Sequence, residues 1–374
     1  MTGHPDHHRA APGNRITDVA GITVGHHHRL DAEVGVGGDG PDDPPGFGWA
    51  TGTTVVRIAA PTLDGPAPTV AVDVRGGGPG TRETDLLDPS NTVTTAHAIV
   101  LSGGSAYGLA TADGVMTELE AQGVGLPMDR HGHVVPIVPA AVIFDLPVGQ
   151  WTRRPDADFG VHAVRSASAD FEIGSVGAGT GARAAGLKGG LGTAGRLIDS
   201  GPAAGIRVGA VIAANPVGAV IDPDTGLPWG ATAADLRRFG LVHPNADDLR
   251  DLSTIATKQT VLNTTIGVVA TDAVLAPASV KRVAMAAHDG LARAIHPVHS
   301  PLDGDTIFAV ATGAHAVEPS PQIPPGMNPE AVVLAEICRV AAEVAREAIV
   351  SAVVHARAVA DIPAYTEVAP SVLG

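Results

Sequence analysis

The chain has 374 residues and a formal net charge of −15, with 44% hydrophobic and 17% charged residues. This composition excludes an intrinsically disordered chain, and the acidic excess disfavours nucleic acid and anionic membranes as partners. The single cysteine, Cys338, excludes an intrachain disulfide and a cysteine metal cluster. Because we find neither a secretory signal nor an apolar run of about 20 residues, we expect a cytoplasmic protein with no membrane partner.

Residues 1–14 are expected to form a flexible leader, and the alternating sequence Ile16–Val24 predicts the first strand. Apolar and β-branched runs predict further strands, at Thr53–Ala59, Thr69–Val74, Ala98–Leu101, Ile173–Val176, Val208–Ala213, Ala219–Ile221, Ile266–Thr271 and Thr306–Ala311. Helical spacing of apolar residues predicts helices at 106–121 and 278–295, and a longest helix from Asn328-Pro329 to about Ala356. No long linker interrupts this irregular alternation, which predicts a single layered α/β domain over residues 15–374.

A glycine-rich segment imitates a dinucleotide-binding site. The sequence 177–182 (GAGTGA) fits G-x-G-x-x-G/A after a predicted strand, and Asp199 follows at the appropriate distance. A helix must come next to bind the pyrophosphate, but Gly186, Gly189 and Gly190 oppose one. The pattern therefore favours a glycine-rich turn, and we expect no nucleotide cofactor.

Two groups of histidines invite a metal site, at 26–28 and at His131 and His133. Neither group has an acidic or cysteine neighbour at the spacing of a zinc site. The pattern favours solvated or hydrogen-bonded histidines, and we expect no metal ligands.

Lys188 is one of only three lysines and stands alone among glycines, in the sequence GLKGG. It is either a surface lysine on a loop or a lysine enclosed by closely approaching backbone. In the second case it would lose its proton more easily, or would stabilise a negative charge.

The sequence 262–267 (LNTTIG) leads a polar step directly into a predicted buried strand. It is either an ordinary turn that enters a strand or a self-cleavage site. In the second interpretation the Thr264 hydroxyl attacks the Asn263 carbonyl, and the cut exposes Thr264 as a new N-terminus whose amine acts as the base. Asp303 and Asp305, on a later turn, could then orient Thr264.

Six segments of the chain, between about Ile16 and Ala364, resemble the DmpA-type L-aminopeptidase/D-esterase family. This family includes β-peptidyl aminopeptidases and nylon-oligomer hydrolases. The segments are Ile16–Gly25 (ITDVAGITVG), Val74–Pro89 (VRGGGPGTRETDLLDP), Leu101–Gly108 (LSGGSAYG), Gly186–Thr193 (GLKGGLGT), Asn263–Gly267 (NTTIG) and Pro301–Thr306 (PLDGDT).

The resemblance implies an αββα sandwich, similar to N-terminal-nucleophile (Ntn) hydrolases but with different connectivity, and often a homotetramer. It implies self-cleavage into residues 1–263 and 264–374, with Thr264 as the nucleophile. The substrate would be a small peptide or amide, hydrolysed without a cofactor.

The resemblance also assigns the remaining site residues. Asn215 would donate to the oxyanion, and Lys188 would stabilise the oxyanion or lower the pKa of the nucleophile's amine. Tyr107 would bond the oxyanion or the substrate, or form the pocket wall. Asp303 and Asp305 would hold the ammonium and hydroxyl of Thr264.

Three residues indicate which branch of the family this chain resembles more. The β-peptidyl aminopeptidases carry Ser as nucleophile and Ser and Glu at the two later positions, whereas this chain has Thr264, Asp303 and Asp305. That set is closer to the nylon-oligomer hydrolases. Two alternatives stay open: an acyltransferase of the ornithine acetyltransferase type, which uses the same acyl-enzyme, and a non-catalytic scaffold.

Overall fold

Two five-stranded sheets form the centre of the fold. The computed structural model describes residues 8–9, 11–38, 40, 42–59, 66–255, 263–318 and 323–374. The strands are β1 (His8–Arg9), β2 (Ile22–Leu30), β3 (Ala50–Ile58), β4 (Thr69–Val74), β5 (Thr81–Arg82), β6 (Ala98–Ser102), β7 (Leu126–Pro127), β8 (Val134–Val135), β9 (Ala140–Val142), β10 (Glu172–Ile173), β11 (Arg183–Ala184), β12 (Leu187–Lys188), β13 (Gly190–Leu197), β14 (Arg207–Ala214), β15 (Ile266–Ala273) and β16 (Thr306–His315).

The α-helices are α1 (Thr111–Ala121), α2 (Ala157–Arg165), α3 (Ala233–Phe239), α4 (Ala246–Thr254), α5 (Pro277–Ala294), α6 (Ala331–Val354) and α7 (Tyr365–Val368). Short 3-10 helices lie at Ile16–Asp18, Asp85–Leu87, Ser105–Ala110, Gly177–Gly179 and Pro370–Val372. Among the described residues, no helix is long and apolar enough to cross a membrane.

The two sheets have matching patterns. The first has the order β2-β3-β6-β9-β5 and the second the order β13-β14-β15-β16-β4. Each is antiparallel except for one pair, which is β6–β9 in the first sheet and β15–β16 in the second. Helix α5 connects β15 to β16, as a parallel crossover requires.

Alternating side chains build the layers. In β6, Ile99 and Leu101 pack between the two sheets, while Ala98 and Val100 pack against the outer helices α1 and α2. On the other side, α5 and α6 cover the second sheet and enclose the largest apolar cluster. The result is four layers in the order helix, sheet, sheet, helix, as predicted.

Most predicted elements are present, but five differ from the prediction. Of the predicted strand Ile173–Val176, only Ile173 belongs to a strand, β10. The predicted helix 106–121 begins as the 3-10 helix Ser105–Ala110, and α1 starts at Thr111. The predicted strand Ile16–Val24 is wrong at its start, because Ile16 and Val19 are buried through a 3-10 turn and β2 begins only at Ile22. The predicted strand Ala219–Ile221 makes only isolated bridges. The longest helix starts at Ala331, three residues after Asn328, and its N-cap is Glu330.

The predicted leader 1–14 lies partly outside the described residues, which omit 1–7 and 10. Its described part makes specific contacts: β1 pairs with β10, and the Asn14 side-chain nitrogen donates to the Glu347 carboxylate at 3.0 Å. Flexibility of the leader stays a prediction.

Candidate active site

Thr264 lies two residues before β15, a fully buried strand in the middle of the second sheet. Since Ile266, Val268 and Ala270 face the layer between the sheets, alternation turns the Thr264 side chain toward the same layer. Thr264 is only 4% exposed. The Thr264 hydroxyl therefore lies at the edge of the buried core, near β14 and β16, the strands on either side of β15.

The carbonyl oxygen of the Asn263–Thr264 peptide bond accepts two hydrogen bonds. The Thr264 hydroxyl donates to the carbonyl oxygen of Asn263, the group just before it in the chain. The same oxygen accepts the Gly304 amide at 3.0 Å. A carbonyl with two donors is polarised toward the charge that an attacking hydroxyl would create on it.

Asn215 directly follows β14 and lies beside Thr264. The register pairs Ala213 with Ile266, so two residues further along, Asn215 comes opposite Thr264, and its carbonyl accepts the Thr264 amide at 3.0 Å. The Asn215 side chain is buried, and its oxygen accepts the Arg183 amide at 2.9 Å. Its nitrogen donates a long hydrogen bond to the Phe144 carbonyl oxygen, at 3.5 Å.

Lys188 is completely buried, which rules out the interpretation as a surface lysine. Its Nζ donates to the carbonyls of Gly179 and Gly189, at 2.7 and 2.8 Å. Burial lowers the pKa of Lys188 to about 7, while the charge of Asp145 opposes that shift. Lys188 is also the strand partner of Arg183 in the β11–β12 pair, and the Arg183 backbone amide donates to the Asn215 side chain. The same short strand pair therefore holds both the lysine and Asn215.

Asp145 is a buried carboxylate that no sequence pattern singled out. It accepts the Thr51 hydroxyl at 2.7 Å and the Gly104 amide at 2.6 Å. A Cβ at Gly181 would lie 2.6 Å from its oxygen. The glycine-rich segments that contain Gly104 and Gly181 therefore pack closely around Asp145, the carboxylate whose charge acts on Lys188. Segment 177–182 contributes to this packing.

Asp303 and Asp305 lie on the turn before β16, and both are buried. Asp303 accepts the Ser300 hydroxyl at 2.7 Å and the Val217 amide at 3.2 Å. Burial raises the pKa of Asp303, as does the charge of Asp305, while its hydrogen bonds with Ser300 and Val217 oppose the rise. Asp305 accepts the Thr265 amide at 2.7 Å, so it contacts the backbone next to Thr264. The structure brings both carboxylates to the site, but the Thr264 hydroxyl donates to the Asn263 carbonyl and to neither carboxylate.

Tyr107 stands apart from this group. It lies on the 3-10 helix Ser105–Ala110 and is 53% exposed. Its ring packs against Arg154, whose Cζ is 3.6 Å from the ring centroid. Within the described chain, the tyrosine hydroxyl makes no hydrogen bond to the other predicted site residues. Its role as an oxyanion or substrate donor stays a prediction.

The histidines at 26–28 lie on β2. His26 is hydrogen-bonded through both ring nitrogens, to Thr54 at 3.0 Å and to the Glu172 carbonyl at 3.1 Å. Burial lowers its pKa to about 3, so the ring is neutral. Over the described ranges, no cluster of three or more His, Cys, Asp or Glu residues could hold a metal ion.

Comparison with known proteins gives the family. The sequence matches the profile of Peptidase family S58 over residues 14–365. It is 49% identical over 365 residues to an uncharacterized aminopeptidase of Mycobacterium bovis, covering 96% of this chain and 99% of the relative. It is 30% identical over 319 residues to a 6-aminohexanoate-oligomer endohydrolase of Paenarthrobacter ureafaciens, covering 80% of each chain.

A solved structure supports the fold. The L-aminopeptidase D-Ala-esterase/amidase of Ochrobactrum anthropi, a variant of the Ntn-hydrolase fold, aligns with a TM-score of 0.62 at 22% identity. The alignment covers 92% of this chain and 87% of that one. Together these findings confirm the predicted fold class, the predicted family and the predicted enzyme class. The chain belongs to peptidase family S58 and is a hydrolase of amide bonds.

Proposed function

We propose that this chain is a self-processing N-terminal threonine hydrolase, which cuts its own Asn263–Thr264 bond and then hydrolyses small peptides or amides with Thr264. The observation that carries the proposal is the hydrogen bond from the Thr264 hydroxyl to the Asn263 carbonyl. It holds the attacking oxygen against the bond that is to be broken. The Gly304 amide on the same carbonyl supplies a donor for the developing oxyanion.

Processing needs only this chain and water. The Thr264 oxygen bonds to the Asn263 carbonyl carbon, the C–N bond breaks, and the released nitrogen takes the hydroxyl proton. The product is an ester between Asn263 and Thr264. Water then hydrolyses the ester, which leaves a carboxylate on residue 263 and restores the Thr264 hydroxyl beside a free α-amine.

Turnover repeats the same chemistry on a substrate. The free α-amine of Thr264 takes the hydroxyl proton as the oxygen attacks the amide carbonyl, and then passes a proton to the leaving amine. The Asn215 side-chain amide nitrogen is the donor for the substrate oxyanion. Lys188, the strand partner of the Arg183 that holds Asn215, adds a buried positive charge. Because its pKa is about 7, it can gain or lose a proton near neutral pH.

Asp303 and Asp305 act through the backbone of the site in the uncut chain. Asp305 fixes the Thr265 amide, and Asp303 ties the Ser300 turn to Val217 beyond Asn215. After cleavage the new ammonium group of Thr264 would appear beside these carboxylates, because Asn263 and Asp303 are paired in the fold. We propose that they then bind it.

We propose that the substrate is a small peptide or another small amide. An aminopeptidase and a 6-aminohexanoate-oligomer endohydrolase among the relatives support this class. Assembly into a homotetramer and a cytoplasmic location stay predictions.

The test is the intact mass of freshly purified protein under denaturing conditions, repeated after incubation. We expect two chains, residues 1–263 and 264–374, of about 26 and about 11 kDa. A chain that stays at 37.5 kDa contradicts self-processing. If the cut chain transfers an acyl group to added hydroxylamine but releases none to water, it is an acyltransferase.

Gly304→Ala is expected to slow processing by about 100-fold or more, the effect of losing one oxyanion donor. The new Cβ would lie 2.7 Å from the Thr264 hydroxyl oxygen and 2.8 Å from the Gly78 carbonyl oxygen, so the turn and the nucleophile must separate. The fraction of cut chain, followed by mass after cell-free synthesis, measures the effect. Gly78→Ala is the control, since its Cβ meets nothing closer than 3.8 Å. Equal rates in both variants would contradict the role given to Gly304.

A further inference from the structure

We propose that His299 is a positioning residue for the nucleophile: it holds the Asp305 carboxylate on the backbone amide that directly follows Thr264. The inference rests on the proposed function, because it assumes that Thr264 is the attacking residue. His299 does not belong to any of the six segments that carry the family resemblance.

The hydrogen bonds form a short chain from His299 to the nucleophile. His299 Nδ1 lies 2.8 Å from Asp305 Oδ2, and the His299 amide donates to the same oxygen at 3.2 Å. The other carboxylate oxygen, Oδ1, accepts the Thr265 amide at 2.7 Å. In the described part of the chain these are the only hydrogen bonds of the Asp305 carboxylate, so His299 supplies both bonds to the oxygen that does not meet Thr265.

The position of Thr265 matters because it fixes the orientation of Thr264. Thr264 is held on one side by Asn215, which accepts its amide, and on the other by Thr265. If the Asp305 carboxylate rotates, the Thr264–Thr265 peptide loses its anchor, and the Thr264 hydroxyl loses its alignment with the Asn263 carbonyl. A shift of about 1 Å in such a geometry costs about 100-fold in rate.

The backbone at His299 is unusual in a way that serves this contact. His299 has φ 54°, in the left-handed region that residues other than glycine and asparagine seldom occupy. Such a conformation is energetically unfavourable and persists only where its surroundings enforce it. Here it lets the amide and the ring of one residue reach the same carboxylate oxygen.

The ring is oriented by packing. His288, on α5, meets the His299 ring edge to face, with centroids 4.8 Å apart. Burial lowers the pKa of His288 to about 4, so this neighbour is neutral. Across the described residues, His299 Nε2 is buried without a hydrogen-bond partner, so Asp305 is the group that the ring is placed to serve. The tautomer with the proton on Nδ1 fits this arrangement.

The test compares two substitutions that both suit the left-handed backbone. His299→Gly removes the ring, whereas His299→Asn keeps a donor near the position of Nδ1. We expect His299→Gly to slow processing about 10- to 100-fold after cell-free synthesis, and His299→Asn to recover most of the rate. Wild-type speed in the glycine variant, or the same loss in both variants, would overturn the proposal.

A second readout does not depend on processing. In the uncut Thr264→Ala chain, hydrogen exchange at the Thr265 amide is followed by mass spectrometry of peptides that cover 263–267. We expect His299→Gly to speed this exchange about 10-fold while helix α6 keeps its protection. Unchanged exchange overturns the positioning role of His299. A wild-type chain that is never cut, with the exchange effect present, would instead overturn the proposed function alone.

Discussion

Thr264→Ala is expected to leave one uncut chain of 37.5 kDa with no measurable amide hydrolysis. The substitution removes the side-chain oxygen that contacts the Asn263 carbonyl. It leaves the backbone bonds to Asn215 and Asp305 in place, so the fold should remain. Loss of a nucleophile typically costs about 10⁴-fold or more in rate. Denaturing mass and hydrolysis of an amino-acid p-nitroanilide measure the two effects.

Two substitutions provide the controls for Thr264. Thr264→Ser keeps the attacking oxygen and should still be cut before residue 264. Thr265→Val tests the neighbouring threonine, whose hydroxyl is buried without a partner among the described residues, so its removal should leave stability unchanged or improved. A Thr264→Ala chain that is still cut, or a Thr265→Val chain that is not, would move the nucleophile away from Thr264.

Lys188→Met is expected to fold but to process about 100-fold more slowly or worse, because it removes the buried, ionisable amine of Lys188. Methionine fills a similar volume without placing a new polar group in the core. Lys281→Met is the matched control, since Lys281 is a partly exposed lysine that pairs with Asp88 at 3.0 Å. Normal cutting in the Lys188 variant, measured by mass, would leave Lys188 with a structural role only.

The pH dependence of stability tests the burial of Lys188 separately. Its pKa is lowered from 10.5 to about 7, so between these values the folded chain binds fewer protons than the unfolded chain. Unfolding then takes up a proton and becomes less favourable as pH rises. In the uncut Thr264→Ala background, the chain that keeps Lys188 should therefore gain stability over the chain with Lys188→Met from pH 7 to pH 9.5, by at most about 1.4 kcal/mol per pH unit. A constant difference in urea unfolding would place Lys188 in water.

Local patterns predicted much of the fold. Strand β4 (Thr69–Val74) and helix α5 (Pro277–Ala294) came out nearly as predicted, because both have a regular spacing of apolar residues that their packing uses. The strand predicted from Ile16 is wrong at its start because the spacing of its apolar residues does not match how they pack. Ile22 and Val24 alternate as strand residues do, but Ile16 and Val19 lie three residues apart and are buried through a 3-10 turn, so strand pairing begins only at Ile22.

The site depended on contacts that sequence spacing does not contain. Asn215 and Thr264 meet because the register of β14 and β15 places them opposite each other. Asp145 and His299 carry no pattern of their own, and their importance follows from which buried groups they touch. Glycine-rich neighbours were the one available signal for Asp145, since they allow backbone to close around a buried charge.

The order of strands in the second sheet has a consequence for the proposed cut. Strands β15 and β16, from the later piece, lie side by side between β14 and β4, both from the earlier piece. The later piece also supplies α6, which covers β13 and β14. Neither product can dissociate unless the hydrogen bonds between β14 and β15 and those between β16 and β4 are broken. Cleavage would thus turn a single chain into an interlocked heterodimer, in which dissociation and unfolding are one event and resistance to denaturant increases with protein concentration.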